Sequence, residues 1–203
     1  MKIVDLSVTV DQDTPAYPGD PKINIEQIGD FDAVGYNDHQ VTFGIHSSGT
    51  HIDAPWHMVK DGKKLDELAV EQFVGRGRYV KAAMIDLEVI KQADIEEGDI
   101  VLLDTGMGNV YGQDEYYTGY RPVMSEEIAE YLVSKKIKMV GVDMCSPDQE
   151  PFAVHRILLG AGVLIIENMT NLSQLEGQDF TVYALPTKLR LDGAPARVIA
   201  VIN

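Results

Sequence analysis

Apolar residues recur along the chain in two patterns, and each pattern predicts one kind of secondary structure. Apolar positions that alternate with polar ones, together with short continuous apolar runs, predict β-strands. These strands are expected at residues 3–10, 39–45, 78–87, 99–106, 138–144, 163–169, 180–189 and 196–203. Residues 125–137 and 154–162 have helical spacing and predict two helices, and Ser125 is expected to cap the first of them.

Predicted strands outnumber predicted helices, and several of them are neighbours in the sequence. This arrangement favours one α/β domain over residues 1–203, with a mixed sheet and not a doubly wound parallel one. Residues 14–21, "TPAYPGDP", contain three prolines and a glycine and predict a rigid loop. The chain has no glycine-rich motif of the kind that holds nucleotide phosphates.

Charge and cysteine content narrow the possible partners. The chain of 203 residues has a formal net charge of −15, which disfavours binding to nucleic acid and to anionic membranes. Cys145 is the only cysteine, so an internal disulfide is excluded and a cysteine-based zinc site is not expected. The first residues do not resemble a signal peptide, and no apolar run has the length of a membrane span. We therefore expect a cytoplasmic protein that binds a small molecule.

Three of the five histidines lie in one short stretch, "GIHSSGTHIDAPWH", residues 44–57. On an extended segment His51 and Asp53 share a face, and an imidazole beside a carboxylate is half of a metal site. Pro55 should end the strand, and the turn after it can bring His57 back over the same face. A histidine held there can transfer protons. The alternative is that these histidines only bond to backbone carbonyls.

A second pair of candidate ligands follows in the C-terminal part of the chain. His155 lies in a predicted helix, and Glu167 ends the apolar run after it, twelve residues later. A buried carboxylate needs a partner, so the two residues could complete a site with His51 and Asp53. The alternative for Glu167 is that it ends its strand at the protein surface.

These residues carry a resemblance. "SGTHIDAPWH" resembles the HxGTHxDxPxH signature of the metal-dependent cyclase family, which includes bacterial kynurenine formamidase-like and isatin hydrolase-like hydrolases. The resemblance extends to "DLSVTVDQDTPAYPGDP", "VHRILLGAGVLIIENMTNL" and "LPTKLRLDGAPARVIAV", and so covers essentially the whole chain. It implies a barrel-like mixed sheet with flanking helices, of the swivelling β/β/α type.

The resemblance also implies a role for each candidate residue. His51 and Asp53 match metal ligands, and the aspartate can bridge two ions. His155 and Glu167 match the ligands of the second ion, and His57 matches the proton-transfer residue. The metal would be zinc or manganese, since both accept imidazole and carboxylate ligands.

One position departs from the family signature. Its first histidine falls on Ser47, and His46 lies one residue away. On a regular strand Ser47 would face the same way as His51, and His46 would face the opposite way unless a bulge re-aimed it. We therefore expect His46 to stay unliganded. The departure predicts one well-bound ion per chain, with the second weak or absent, and it predicts that Ser47→His strengthens binding of the second ion.

The leading hypothesis is a metal-dependent hydrolase of an amide-type C–N bond, in an N-formyl aromatic amine or a cyclic amide. Tyr17 falls where formylkynurenine hydrolases of the family have a tryptophan against the substrate, which leaves the substrate open. The alternatives are a lyase or lactone-type enzyme, or a non-catalytic module that binds a metal or a small ligand. A structural subunit without metal ranks last, because burying these polar groups unpaired is costly. The resemblance and the aromatic loops at residues 14–21 and 110–122 predict a homodimer or a dimer of dimers.

Overall fold

The computed structural model describes residues 1–203, apart from the side chain of Thr118. The strands are β1 (Lys2–Asp5), β2 (Asn24–Gly29), β3 (Asp38–Thr42), β4 (His51–Asp53), β5 (Val74–Lys81), β6 (Ile100–Asp104), β7 (Met139–Val142), β8 (Leu164–Glu167), β9 (Phe180–Pro186) and β10 (Gly193–Ile202). The α-helices are α1 (Phe31–Val34), α2 (Leu87–Lys91), α3 (Glu115–Thr118), α4 (Glu126–Ser134) and α5 (Ala153–Gly160).

The main sheet has the strand order β1-β10-β4-β8-β7-β6-β5-β9, and a further pairing of β9 with β10 closes it into a barrel. Strands β5 to β8 run parallel to one another. Strands β4, β9, β10 and β1 join them through antiparallel pairs. The predicted α/β fold, with a mixed barrel-like sheet and flanking helices, is confirmed.

Alternation along the strands builds two separate apolar cores. In β6, Ile100 and Leu102 point into the barrel, whereas Val101 and Leu103 pack outward in the layer that contains α4 and α5. Both faces of β6 are therefore buried, which explains its continuous apolar sequence. The outer layer depends on α4, whose N-terminus is capped by Ser125 as predicted, through its hydroxyl and the Ile128 N–H.

Several element predictions need correction. The strand predicted at residues 78–87 begins earlier, at Val74, and ends at Lys81, where the chain turns toward helix α2. Strand β1 ends at Asp5, because the chain then leaves the sheet except for one bridge between Ser7 and Met169. The strand predicted at residues 39–45 corresponds to β3, which begins at Asp38 and ends at Thr42, before the 3₁₀ turn Ile45–Ser47. Its hairpin partner β2 was not predicted, because its largely exposed residues give no apolar signal.

Strand β4 brings the histidine stretch to the outside of the barrel. It pairs with β10 on one side and with β8 on the other. Ile52 packs inside the barrel, so His51 and Asp53 project outward, toward the layer of α5.

Among the described residues, no helix has the length and apolar character that crossing a membrane requires.

Candidate metal centre and active site

Four of the predicted ligands meet between β4, β8 and α5. His51 lies directly across the β4–β8 pair from Glu167, with His51 Nε2 3.4 Å from Glu167 Oε2 and 3.5 Å from Asp53 Oδ1. From α5, His155 Nε2 approaches to 3.3 Å from Glu167 Oε1 and 3.7 Å from Asp53 Oδ2. The four side chains are almost fully buried. Glu167 is therefore not a surface residue at a strand end.

In both buried histidines, ring nitrogen Nδ1 faces away from the centre of the group and lies within hydrogen-bond distance of an acceptor. His51 Nδ1 lies 2.8 Å from the Gly49 carbonyl oxygen, and His155 Nδ1 lies 2.6 Å from Asp148 Oδ1. With a proton on Nδ1, each ring presents the lone pair of Nε2 to the centre of the group. This arrangement, in which an outer acceptor orients the imidazole, is usual for histidines that bind metals.

The atoms at the centre of the group lack hydrogen bonds. Among the described side chains, His51 Nε2, Asp53 Oδ2 and Glu167 Oε1 are buried without a hydrogen-bond partner. Leaving such groups unpaired is costly, and a cation among them would satisfy all three. Imidazole nitrogens and carboxylate oxygens are also the donors that zinc and manganese accept. The residues present therefore fit a divalent metal ion.

Electrostatics agree with this fit. Burial alone lowers the pKa of a histidine, because it disfavours the imidazolium. At His155, the carboxylates of Asp148, Asp53 and Glu167 outweigh burial and raise the pKa to about 12. Glu167 and Asp53 likewise raise the pKa of His51 against the effect of burial. The carboxylates thus favour positive charge at this site. A divalent cation would provide that charge in place of the protons that the two histidines otherwise bind.

His57 lies beside the ligand group, in the position expected from the sequence. Strand β4 ends at Asp53, and a 3₁₀ turn, Pro55–His57, brings the imidazole to a ring-centroid distance of 6.0 Å from His155. Burial lowers the pKa of His57, and the charge of Asp53 offsets this only in part. A neutral imidazole at this position can accept a proton at neutral pH.

The surroundings of Ser47 differ from those expected on a regular strand. Residues Ile45–Ser47 form a 3₁₀ turn, and this turn points His46 toward Asp53, with Nδ1 3.0 Å from Oδ1. Ser47 instead donates its hydroxyl to Asp20 Oδ2 at 2.9 Å. The expectation that Ser47 faces with His51, and that His46 faces away, is therefore wrong. Donor atoms of His46, Asp53 and His57 lie within 4.8 Å of one another, as do those of His51, Asp53 and Glu167.

A cavity of about 240 Å³ opens onto this centre. Tyr17 lines it, as the sequence suggested, and its ring lies edge-on to Tyr117 at a centroid distance of 6.4 Å. Met58 and Phe152 add apolar side chains to its lining, and His57, His155 and Glu167 add polar ones. The cavity thus combines apolar walls with a few polar groups, as small-molecule sites commonly do.

Two carboxylates in the site were not singled out from the sequence. Asp148 holds His155, and Asp192 lies 2.9 Å from His46 Nε2 and 3.4 Å from His57 Nδ1. Each lies in a loop, Asp148 before α5 and Asp192 before β10. Asp148 is seven residues from His155, whereas Asp192 is 146 and 135 residues from the two histidines it contacts. The turn-rich contexts "CSPDQEP" and "RLDGAPAR" are the only local signal, and it does not specify a partner.

Fold and centre together define a barrel-like α/β protein with a buried histidine–carboxylate group that fits a divalent metal. Comparison with known proteins agrees with this class. Residues 4–149 match the model of the family described as "Cyclase". A kynurenine formamidase from Bacillus cytotoxicus is 31% identical over 204 residues, which cover 97% of this chain and 95% of that protein. The chain therefore belongs to the cyclase family.

Solved structures support the same conclusion. Isatin hydrolase A from Labrenzia aggregata superimposes with a TM-score of 0.88 at 26% identity, over 98% of this chain and 93% of that one. A structure described as a potential metal-dependent hydrolase with cyclase activity has a TM-score of 0.81 at 29% identity, over 98% and 96% of the two chains. The similarity thus extends over nearly the full length of the fold that carries the site.

Proposed function

We propose that this protein is a metal-dependent amidohydrolase that cleaves a non-peptide C–N bond. The observation that carries the proposal is the buried group of two imidazoles and two carboxylates with unpaired central atoms, next to a neutral histidine and an apolar cavity. Its relatives include a kynurenine formamidase and an isatin hydrolase, and both of these enzymes hydrolyse an amide-type bond.

In this proposal each residue of the site has one task. His51, Asp53, His155 and Glu167 hold the metal. A divalent ion bound there would polarise the substrate carbonyl and make water a better nucleophile at neutral pH. His57 accepts the proton from the attacking water and returns it to the leaving nitrogen.

We propose zinc or manganese as the metal, with one ion firmly held. The four-residue group is almost fully buried, and its central atoms are available to an ion. The other candidate group, His46, Asp53 and His57, would bind a second ion only if His57 gave up proton transfer. We expect a second ion to be weak or absent there, because Asp192 already contacts both of these rings and because both are partly exposed.

The proposed substrate is an N-formyl aromatic amine or a cyclic amide fused to an aromatic ring. Tyr17, Met58 and Phe152 offer apolar contact to such a ring. A cavity of about 240 Å³ is smaller than the roughly 300–1,000 Å³ of sites for drug-sized ligands, which favours a small one-ring or two-ring molecule. The carbonyl would then lie near His57. A panel of N-formyl aromatic amines, cyclic imides and lactones, assayed with zinc-loaded or manganese-loaded protein, tests this assignment. Turnover confined to the lactones would instead favour a lactone-type enzyme.

We also expect a homodimer or a dimer of dimers in the cytoplasm. Tyr17, in the loop of residues 14–21, contacts Tyr117 in the segment of residues 110–122. Tyr120 lies in that same segment and is 80% exposed. Aromatic side chains of this kind are common in interfaces. Light scattering at micromolar protein concentration tests the expectation, and a monomer would contradict it.

A further inference from the structure

Asp192 presents one carboxylate oxygen to two histidines of the site. Its Oδ2 lies 2.9 Å from His46 Nε2 and 3.4 Å from His57 Nδ1. The two imidazole rings lie against each other, with centroids 3.8 Å apart and planes inclined by 32°. One acidic side chain therefore contacts both members of a stacked pair.

The backbone fixes Asp192 in this position. The Ala54 N–H donates to the Asp192 carbonyl oxygen at 2.8 Å, at the start of the turn that carries His57. The next residue, Gly193, begins the pairing of β10 with β4. A Cβ at Gly193 would lie 2.6 Å from a carbonyl oxygen of β4 and 3.5 Å from the His46 ring, so only glycine permits this close approach.

We propose that Asp192 is a positioning residue for the proton-transfer histidine. It accepts a hydrogen bond from His57 Nδ1–H, which leaves the lone pair of Nε2 free to take a proton. It also holds His46 as the wall against which the His57 ring packs. A carboxylate bonded to one ring nitrogen fixes both the orientation and the tautomer of an imidazole. The inference rests on the proposed function, because it assigns a helper to His57 in that reaction.

The kinetic test compares Asp192→Ala with the unmodified protein at metal concentrations that saturate both. We expect kcat to fall by about 10- to 100-fold, with KM and the content of firmly bound ion unchanged. Asp192→Asn should recover part of the loss, because its amide oxygen can still accept from Nδ1–H. In a His57→Ala background, Asp192→Ala should cause no further loss, since the ring that it orients is gone.

Three outcomes would overturn the inference: an unchanged kcat in Asp192→Ala, a full additional loss in the His57→Ala background, or loss of the firmly bound ion. Asp148→Ala is the matched control, because it removes the carboxylate from His155 and should weaken binding of the ion. NMR of isotopically labelled imidazole nitrogens tests the inference without any substrate. We expect His57 to carry its proton on Nδ1, and to redistribute it toward Nε2 in Asp192→Ala. The same tautomer in both proteins would overturn the inference even if the protein hydrolyses none of the proposed amides.

Discussion

Asp148 offers a quantitative test of how the metal centre is supported. It is 3% exposed, and its carboxylate accepts three hydrogen bonds. Oδ1 lies 2.6 Å from His155 Nδ1, and Oδ2 lies 2.8 Å from the Val154 N–H and 3.2 Å from the His155 N–H. One side chain thus stabilises the first turn of α5 and orients a proposed metal ligand.

The expected cost of Asp148→Ala follows from these bonds. Each buried donor that loses its acceptor costs about 1–3 kcal/mol, and water can reach part of a helix end. We therefore expect the free energy of unfolding of the metal-free protein to fall by about 2–4 kcal/mol. Removing an outer acceptor from a metal-binding histidine lowers metal affinity by about 10- to 100-fold. Asp148→Asn keeps one acceptor oxygen and the side-chain shape, so it should lose less stability than Asp148→Ala.

Two measurements separate these effects. Urea unfolding of the metal-free protein gives the change in stability, and titration calorimetry of the folded protein gives the metal affinity. If Asp148→Ala lost stability but kept the metal affinity of the unmodified protein, Asp148 would only support α5. Metal affinity that does not depend on the acceptor of His155 would also contradict the assignment of His155 as a metal ligand.

Further predictions concern the other residues of the site. His51→Ala and Asp53→Ala should each abolish both binding of the firmly held ion and hydrolysis, as elemental analysis and rate assays on one sample would reveal. His57→Ala should keep that ion while kcat falls by about 10²–10⁴-fold, and loss of the ion would make His57 a ligand instead. Because the pKa of His51 is raised in the metal-free protein, metal and protons compete, so metal affinity should rise with pH. Calorimetry in buffers of different ionisation enthalpy should detect proton release, and its absence would contradict the competition. Ser47→His should not create a ligand beside Asp53, because residue 47 faces Asp20, and a gain in affinity for a second ion would contradict this geometry.

The shared face of His51 and Asp53 could be predicted because the two residues are two apart on a strand. The roles of His155 and Glu167 were implied by the family resemblance, because the pattern alone left Glu167 either in the site or at the surface. His46 and Ser47 could not be placed this way. They lie in a 3₁₀ turn, where a shift of one residue does not reverse the face of a side chain as it does in a sheet.

Asp192, which the sequence did not reveal, contacts the site across the fold. The interaction of Asp192 with His57 joins positions 135 residues apart and depends on the pairing of β10 with β4. Strand β2 was missed for another reason. Its residues are largely exposed and lack the alternation that comes from burying one face.

The central claim is that hydrolysis depends on a metal held by the buried histidine–carboxylate group. The most direct test measures hydrolysis of an N-formyl aromatic amine by the chelator-treated protein, and again after reloading with zinc or manganese. We predict that chelation removes the activity and that reloading restores it in proportion to the ion bound. A metal-free protein that hydrolyses the amide as fast as the reloaded protein would contradict the claim.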